Sequence, residues 1–184
     1  MRVISGSARG LRLVCPAGPA IRPTADRLKE ALFNILAPLV PGCAFLDLFC
    51  GTGAIGIEAL SRGAESAVFA DSGAAAVRAV VANLEKTRLA ERAEVLRMDA
   101  SAAIELLSNR NRAFDIIFMD PPYAGGGLEA ALGRLEKHGI LAEGGIAVAE
   151  TGAGRGLIAG PAFEIADERK YGSAKFIFLR KKPI

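Results

Sequence analysis

Residues 45–56 read Phe45-Leu46-Asp47-Leu48-Phe49-Cys50-Gly51-Thr52-Gly53-Ala54-Ile55-Gly56. The mostly apolar run before Cys50 is typical of a buried strand, and the three glycines that follow have the spacing G-x-G-x-x-G. Glycine is needed where the backbone turns tightly from strand to helix and approaches a ligand, and the helix start leaves N–H groups free to bind it. The stretch therefore predicts the first strand, the ligand-binding turn and the first crossover helix of an α/β fold.

Strands and helices alternate along the rest of the chain, after an amphipathic helix around residues 28–36. The predicted strands are 44–49, 66–71, 93–97, 114–120 and 146–150, and the helices between them are 54–62, 74–88, 100–107 and 128–137. This alternation predicts a doubly wound, mostly parallel sheet with right-handed crossovers. Two more strand-like runs, 163–170 and 175–180, predict a terminal antiparallel hairpin and a seven-stranded sheet. We expect one domain over residues 1–184, in which 1–20 form a basic N-terminal arm appended to a core of 22–184.

Acidic residues stand at the ends of the predicted strands, where open α/β sheets bind ligands. Asp71 follows Gly51 by twenty residues, the position at which an acid accepts hydrogen bonds from ribose hydroxyls. Asp99 ends the third strand and could accept from an adenine amino group. The glycine spacing does not separate a nicotinamide dinucleotide from S-adenosylmethionine, but Asp47, a charge inside the first strand, favours the ammonium group of S-adenosylmethionine.

The fourth strand of the parallel array stops at Asp120-Pro121-Pro122-Tyr123. The prolines stiffen the backbone and leave carbonyl groups free, Asp120 adds a carboxylate acceptor, and Tyr123 adds a flat ring. These groups suit a nucleobase whose exocyclic amine donates to Asp120 and to the Pro121 carbonyl while its ring stacks on Tyr123. The competing interpretation is a polar turn after a strand.

Taken together, the glycine turn and Asp120-Pro121-Pro122-Tyr123 resemble the cofactor loop and the (Asp/Asn)-Pro-Pro-(Tyr/Phe) motif of class I amino-group methyltransferases. The segments 22–30, 56–64 and 170–172 narrow the resemblance to the RsmD family of bacterial 16S rRNA guanine-N2 methyltransferases. The resemblance implies target contacts from Asp120, Pro121 and Tyr123. It implies cofactor contacts from Asp47, Phe49, Gly51, Gly53, Asp71, Asp99 and Ala100. One position departs from the family pattern, since Gly73 stands where a second acid is common.

Positive charge is concentrated at the two ends of the chain. Residues 1–30 and 167–184 carry 12 Lys and Arg against 4 Asp and Glu, whereas residues 31–166 carry 11 against 16. The ends would therefore meet a polyanion, here 16S rRNA or an assembling small ribosomal subunit, with a salt-dependent affinity. The candidate RNA contacts are Arg9, Arg12, Arg22, Arg27 and Lys170. Lys29 and Asn34 also lie off the apolar stripe of the first helix, either as a solvated face or as further RNA contacts.

The remaining composition favours a cytoplasmic protein without a metal. The three cysteines, Cys15, Cys43 and Cys50, are odd in number and lack CxxC spacing, so we expect reduced thiols. The one histidine, His138, is expected at the surface and has no partners for a triad or a metal cluster. No signal peptide or membrane span develops, and a monomer is the default expectation.

Three rival functions remain open from the sequence. An N-methyltransferase acting on adenine or cytosine of DNA, or on a protein glutamine, would use the same amine chemistry. A nicotinamide-dependent oxidoreductase would use the same glycines. A non-catalytic RNA-binding chaperone would keep the fold but would not need Asp120 and Tyr123.

Overall fold

The computed structural model describes residues 1–15, 23–122 and 126–182. In this part of the chain seven strands form one sheet in the order β3-β2-β1-β4-β5-β7-β6. The strands are β1 (Ala44–Leu48), β2 (Ser66–Ala70), β3 (Ala93–Leu96), β4 (Phe114–Met119), β5 (Leu141–Gly152), β6 (Phe163–Tyr171) and β7 (Ala174–Lys181). The helices are α1 (Pro23–Leu36), α2 (Ala54–Ser61), α3 (Ala74–Thr87), α4 (Ala100–Asn109) and α5 (Gly127–His138). The first five strands are parallel and β7 pairs antiparallel with β5 and β6, which confirms the predicted fold class.

Two hydrophobic layers cover the sheet, because side chains alternate between its faces. On one face Phe45, Phe118 and Val148 pack with apolar residues of α1, α2 and α3. On the other face Leu48 and Met119 pack with apolar residues of α4 and α5. The polar edges of the helices thus face water, and the carboxyl ends of the parallel strands are left open between the layers.

The N-terminal segment forms a hairpin-like arm, as predicted, but it is not an appendage. The Val3 N–H donates to the Leu11 carbonyl (2.9 Å), and the side chains of Val3, Ala8 and Leu13 are buried in the core of the first layer. The N–H groups of Ile4 and Ser5 also donate to a carboxylate of α2 (2.8 and 3.0 Å). The burial of the arm was not predicted, because its apolar residues are few and the carboxylate that binds Ile4 and Ser5 lies 54 and 53 residues further along the chain.

That carboxylate belongs to Glu58, which is fully buried and joins three elements. It lies 3.1 Å from the Lys29 ammonium of α1 and 2.8 Å from the Arg62 guanidinium. Lys29 also donates to the Arg2 carbonyl (2.6 Å) and is only 3% exposed. The expectation that Lys29 belongs to a solvated or RNA-facing surface is therefore wrong, since its charge is used inside the protein.

Two smaller expectations also need correction. Strand β5 begins five residues before the predicted start at Ile146, with an irregular register opposite β4 between Phe114 and Ile116. His138 ends α5 as predicted, but it is only partly exposed, and its Nε2 atom is enclosed without a hydrogen-bond partner among the described residues. No described helix has the length and hydropathy needed to cross a bilayer.

Candidate active site

The strand register brings the predicted acids to one edge of the sheet. Leu48 pairs with Ala70 on one side and with Met119 on the other, so Asp71 and Asp120 both follow directly after these neighbouring positions. Met119 in turn pairs with Ala149, which places Glu150 beside Asp120. The carboxyl ends of β2, β4 and β5 therefore bring Asp71, Asp120 and Glu150 to the same edge of the sheet.

The turn after β1 has the backbone that its glycines predict. Gly51 and Gly53 have φ values of 53° and 73°, in the left-handed region that glycine adopts without strain. No protein atom lies within 4 Å of a Cβ built on Gly51, so this face of the turn is open to a ligand. Gly56 is needed for packing, because a Cβ there would lie 2.3 Å from the Phe69 ring. Phe49 also has a positive φ of 61°, which is costly for a bulky residue and is typical of functional sites.

A cavity of about 370 Å³ lies beside this turn. Four predicted cofactor residues line it: Phe49, Asp71, Asp99 and Ala100. Asp71 accepts from the Gly51 N–H (2.9 Å) and from the Gly73 N–H (2.8 Å), one on each carboxylate oxygen. Asp99 accepts from the Ala102 N–H at the start of α4 (2.9 Å) through one oxygen. Each acid is thus fixed by the backbone and keeps acceptor capacity for a bound molecule. The cavity is lined by Phe49, Ala70, Asp71, Ser72, Met98, Asp99, Ala100, Asp120, Pro121 and Pro122.

A second cavity of about 250 Å³ adjoins the first, since Phe49 and Asp120 line both. Its polar lining includes Asp47, Asp120 and Glu150, and Phe176 supplies part of an aromatic wall. The Phe176 ring packs edge-on against Phe118, with 6.3 Å between the ring centroids. The two cavities share Phe49 and Asp120 in their linings, and the inner one combines an aromatic wall with three acids; together they are called the cleft.

Three acids of the cleft, Asp47, Asp120 and Glu150, have raised pKa values. Burial raises the pKa of Asp47 to about 7, although Asp47 accepts from the Gly56 N–H (2.9 Å). Asp120 is an exposed residue, yet the protein around its carboxyl group removes enough water to raise its pKa to about 6. Burial, followed by the negative charge of Asp120, raises the pKa of Glu150 to about 8. A cation or hydrogen-bond donor in the cleft would relieve this crowding.

The predicted RNA contacts that the structure describes are exposed and lie outside the linings of the two cavities. Arg9 and Arg27 are exposed and line a surface groove of about 530 Å³, together with the side chains of Arg2, Asp26 and Glu30. The groove is mixed in charge, because Arg2 pairs with Asp26 (3.4 Å). Arg12 is exposed on the opposite side of the arm, and Lys170 is exposed on β6. Arg22 and Tyr123 lie outside the described residues.

Glu150 is the polar residue of the cleft that the sequence reasoning missed. It ends the predicted strand 146–150 and is therefore an acid at the carboxyl end of the strand that follows Asp120 in the chain. The same rule that selected Asp71 and Asp99 would have found it. The other misjudged residue is Lys29, whose stem lines the inner cavity.

The cleft fits S-adenosylmethionine. Its open glycine turn admits a close ligand, its outer cavity offers the acceptors Asp71 and Asp99, and its inner cavity carries acids suited to a positively charged molecule. Cys50 also lines the inner cavity, but burial raises the pKa of its thiol far above the usual range, so it is a poor nucleophile.

Comparison with known proteins shows which protein family the chain belongs to. The sequence pattern of the family described as conserved hypothetical protein 95 matches residues 1–180. Ribosomal RNA small subunit methyltransferase D of Escherichia coli K12 is 38% identical over 162 residues, covering 88% of this chain and 80% of its own. The solved structure of yhhF from Escherichia coli has a TM-score of 0.85 at 33% identity and covers 99% of this chain and 98% of its own. SMU.776, solved with S-adenosylhomocysteine (SAH), has a TM-score of 0.69 at 19% identity, covers 86% of this chain and 50% of its own, and shares the fold.

Proposed function

The chain belongs to the RsmD family of rRNA methyltransferases, and we propose that its cleft methylates the exocyclic N2 of a guanine in 16S rRNA, with S-adenosylmethionine as donor. The observation that carries this proposal is the inner cavity, whose lining contains both Gly51 of the glycine turn and Asp120. When bound, S-adenosylmethionine supplies an electrophilic methyl group on a positively charged sulfur.

We assign the cofactor contacts as follows. Asp71 accepts from the ribose hydroxyls and Asp99 from the adenine amino group, each through oxygen capacity left over from its backbone hydrogen bonds. Asp47 is 1% exposed, so it acts on the cofactor ammonium mainly through its charge. Phe49, Gly51, Gly53 and Ala100 complete the contact surface. Gly73 stands where the family pattern commonly has a second acid, so the contact to the adenosine is expected to be weaker.

The target amine is held by Asp120 and the Pro121 carbonyl, while Tyr123 stacks on the base. Guanine N2 is a weak nucleophile because its lone pair is delocalised into the ring. Two acceptors that bind both N–H groups orient this lone pair and favour the positive charge that develops on nitrogen. Transfer would be direct and in line, without a covalent enzyme intermediate: the bond from methyl to sulfur breaks as the bond from methyl to N2 forms, S-adenosylhomocysteine leaves, and N2 loses one proton to Asp120 or to water.

The target is supplied by the RNA, in a single-stranded segment or within an assembling small subunit. A base extruded from such a segment reaches the cleft at modest cost. Arg9, Arg12, Arg22, Arg27 and Lys170 hold the surrounding phosphates. We expect a monomer. We also expect the protein to act in the cytoplasm, which the free thiols of Cys15, Cys43 and Cys50 support.

The proposal is tested with Asp120→Ala. We expect methyl transfer to undermethylated small-subunit particles to fall below detection, because one of the two amine acceptors is lost. SAH binding, measured by calorimetry, should stay within about threefold of wild type, since the other cofactor contacts remain.

Glu105→Ala is the matched control, because Glu105 is an exposed acid on α4 that pairs with Arg134, and neither residue lines the two cavities. It should keep full activity. Loss of SAH binding in Asp120→Ala would place Asp120 in the cofactor site and refute its proposed role. Duplex DNA and a protein glutamine substrate, assayed in parallel, should remain unmethylated.

A further inference from the structure

We propose that Glu150 recognises the guanine base by accepting a hydrogen bond from its N1–H, next to the amine that Asp120 accepts. This inference rests on the proposed function and assigns to the same cleft a residue that selects the base. It starts from the position of Glu150 in the sheet.

Glu150 and Asp120 occupy neighbouring positions on adjacent strands. Asp120 follows Met119, whose β5 partner is Ala149, and Glu150 follows Ala149. Both acids line the inner cavity, where Phe176 is the β7 partner of Glu150. The two carboxyl groups are therefore arranged side by side along one wall.

Within residues 1–15, 23–122 and 126–182, no protein group donates a hydrogen bond to either carboxylate. Asp71, Asp99, Asp47 and Glu58 all accept backbone or side-chain hydrogen bonds, but no described donor reaches Asp120 or Glu150. The charged groups that face Glu150 from the surrounding elements are Asp120, Asp47 and Lys29, and Lys29 is already paired with Glu58. A half-buried carboxyl group without a partner is costly, so a ligand donor is the expected complement.

Guanine presents the matching pattern of donors. Its N1–H and N2–H groups are adjacent on one edge of the ring and point the same way, so two neighbouring carboxylates can accept from both. Adenine and cytosine place a ring nitrogen acceptor beside the amine. With those bases a carboxylate at Glu150 would face a lone pair, and the mismatch would exclude them.

The test compares two bases that share the target amine. Small-subunit particles are reconstituted with 16S rRNA that carries guanine or 2-aminopurine at the methylated position, and initial rates are measured above pH ~8, where Glu150 is charged. The base 2-aminopurine keeps the amine but has an acceptor at N1. Wild type should prefer guanine by about 100-fold or more, because a mismatched polar edge is rejected strongly.

Glu150→Gln offers an amide that can donate to this acceptor, so the preference should fall by at least about tenfold, mainly through faster reaction of 2-aminopurine. Glu150→Ala should also lower the preference, through slower reaction of guanine. Glu164→Gln, an exposed acid on β6, is the control and should keep the wild-type preference. SAH affinity should be unchanged in all three variants.

The outcomes separate this inference from the proposed function. If wild type leaves guanine unmethylated, the proposed function fails. If wild type methylates guanine N2 but both Glu150 variants slow the two bases equally, or weaken SAH binding with the preference intact, Glu150 has a structural or cofactor role and the inference is overturned.

Discussion

At the scale of single residues, the cleft depends on carboxyl groups that are forced close together. Asp47, Asp120 and Glu150 line one small cavity, and the pKa of each is raised, chiefly by burial. Such crowding is unfavourable for the protein alone and is characteristic of sites that bind a cation or a hydrogen-bond donor. Lys29 does not offset it, because its charge is committed to Glu58.

The raised pKa values predict the pH dependence of catalysis. An ionised carboxylate is a stronger acceptor than a protonated one, so kcat/KM for guanine should rise with pH through about 6, where Asp120 ionises, and again through about 8, where Glu150 ionises. Asp120→Asn keeps an amide acceptor but cannot ionise. Its profile should lack the rise near 6, and its remaining rise should move to lower pH because the charge of Asp120 no longer raises the pKa of Glu150.

The measurement is kcat/KM between pH 5 and 9 at roughly constant ionic strength. Glu105→Ala should reproduce the wild-type curve. An Asp120→Asn enzyme with both rises at their original positions would show that neither step reports Asp120.

At the scale of elements, two glycines of the turn between β1 and α2 have different roles. Gly51 leaves space for a ligand, and Gly56 leaves space for the ring of Phe69. A Cβ on Gly51 meets no protein atom within 4 Å, whereas a Cβ on Gly56 collides with Phe69. Gly51→Ala should therefore abolish SAH binding while costing only about 1–2 kcal/mol of folding free energy for the left-handed backbone. Gly56→Ala should lower the unfolding temperature more. Thermal unfolding with and without SAH checks both, and normal SAH binding by Gly51→Ala would contradict the role of the turn.

Most strands and helices and the glycine turn could be predicted from the sequence, because their signals are local. The apolar run before Gly51, the glycine spacing and the acid after each strand are all readable within a dozen residues. The burial of Lys29 and of the N-terminal arm was not predicted, because both bind Glu58, which lies on another element. Glu150 could have been found as an acid at the end of a predicted strand, but its position beside Asp120 depends on the pairing of β4 with β5, which the local sequence does not show.

At the scale of the whole molecule, the strand order creates the site. Strands β1 and β4 are neighbours although two strands separate them in the chain, so the glycine turn and Asp120 open into one cleft at the carboxyl edge. The antiparallel pair β6 and β7 extends the sheet beyond β5 and adds Phe176 to the wall of the inner cavity. The arm packs into the first layer and places its exposed Arg2 and Arg9 in a surface groove with Arg27.

The most direct test of the central claim is to identify the methylated product. Small-subunit particles from cells that lack this protein are incubated with the purified chain and S-adenosylmethionine labelled in the methyl group, and the RNA is digested to nucleosides for mass spectrometry. The account predicts label in N2-methylguanosine at a single 16S rRNA position, and none with Asp120→Ala. Label in another nucleoside, in ribosomal protein, or in no product would contradict it.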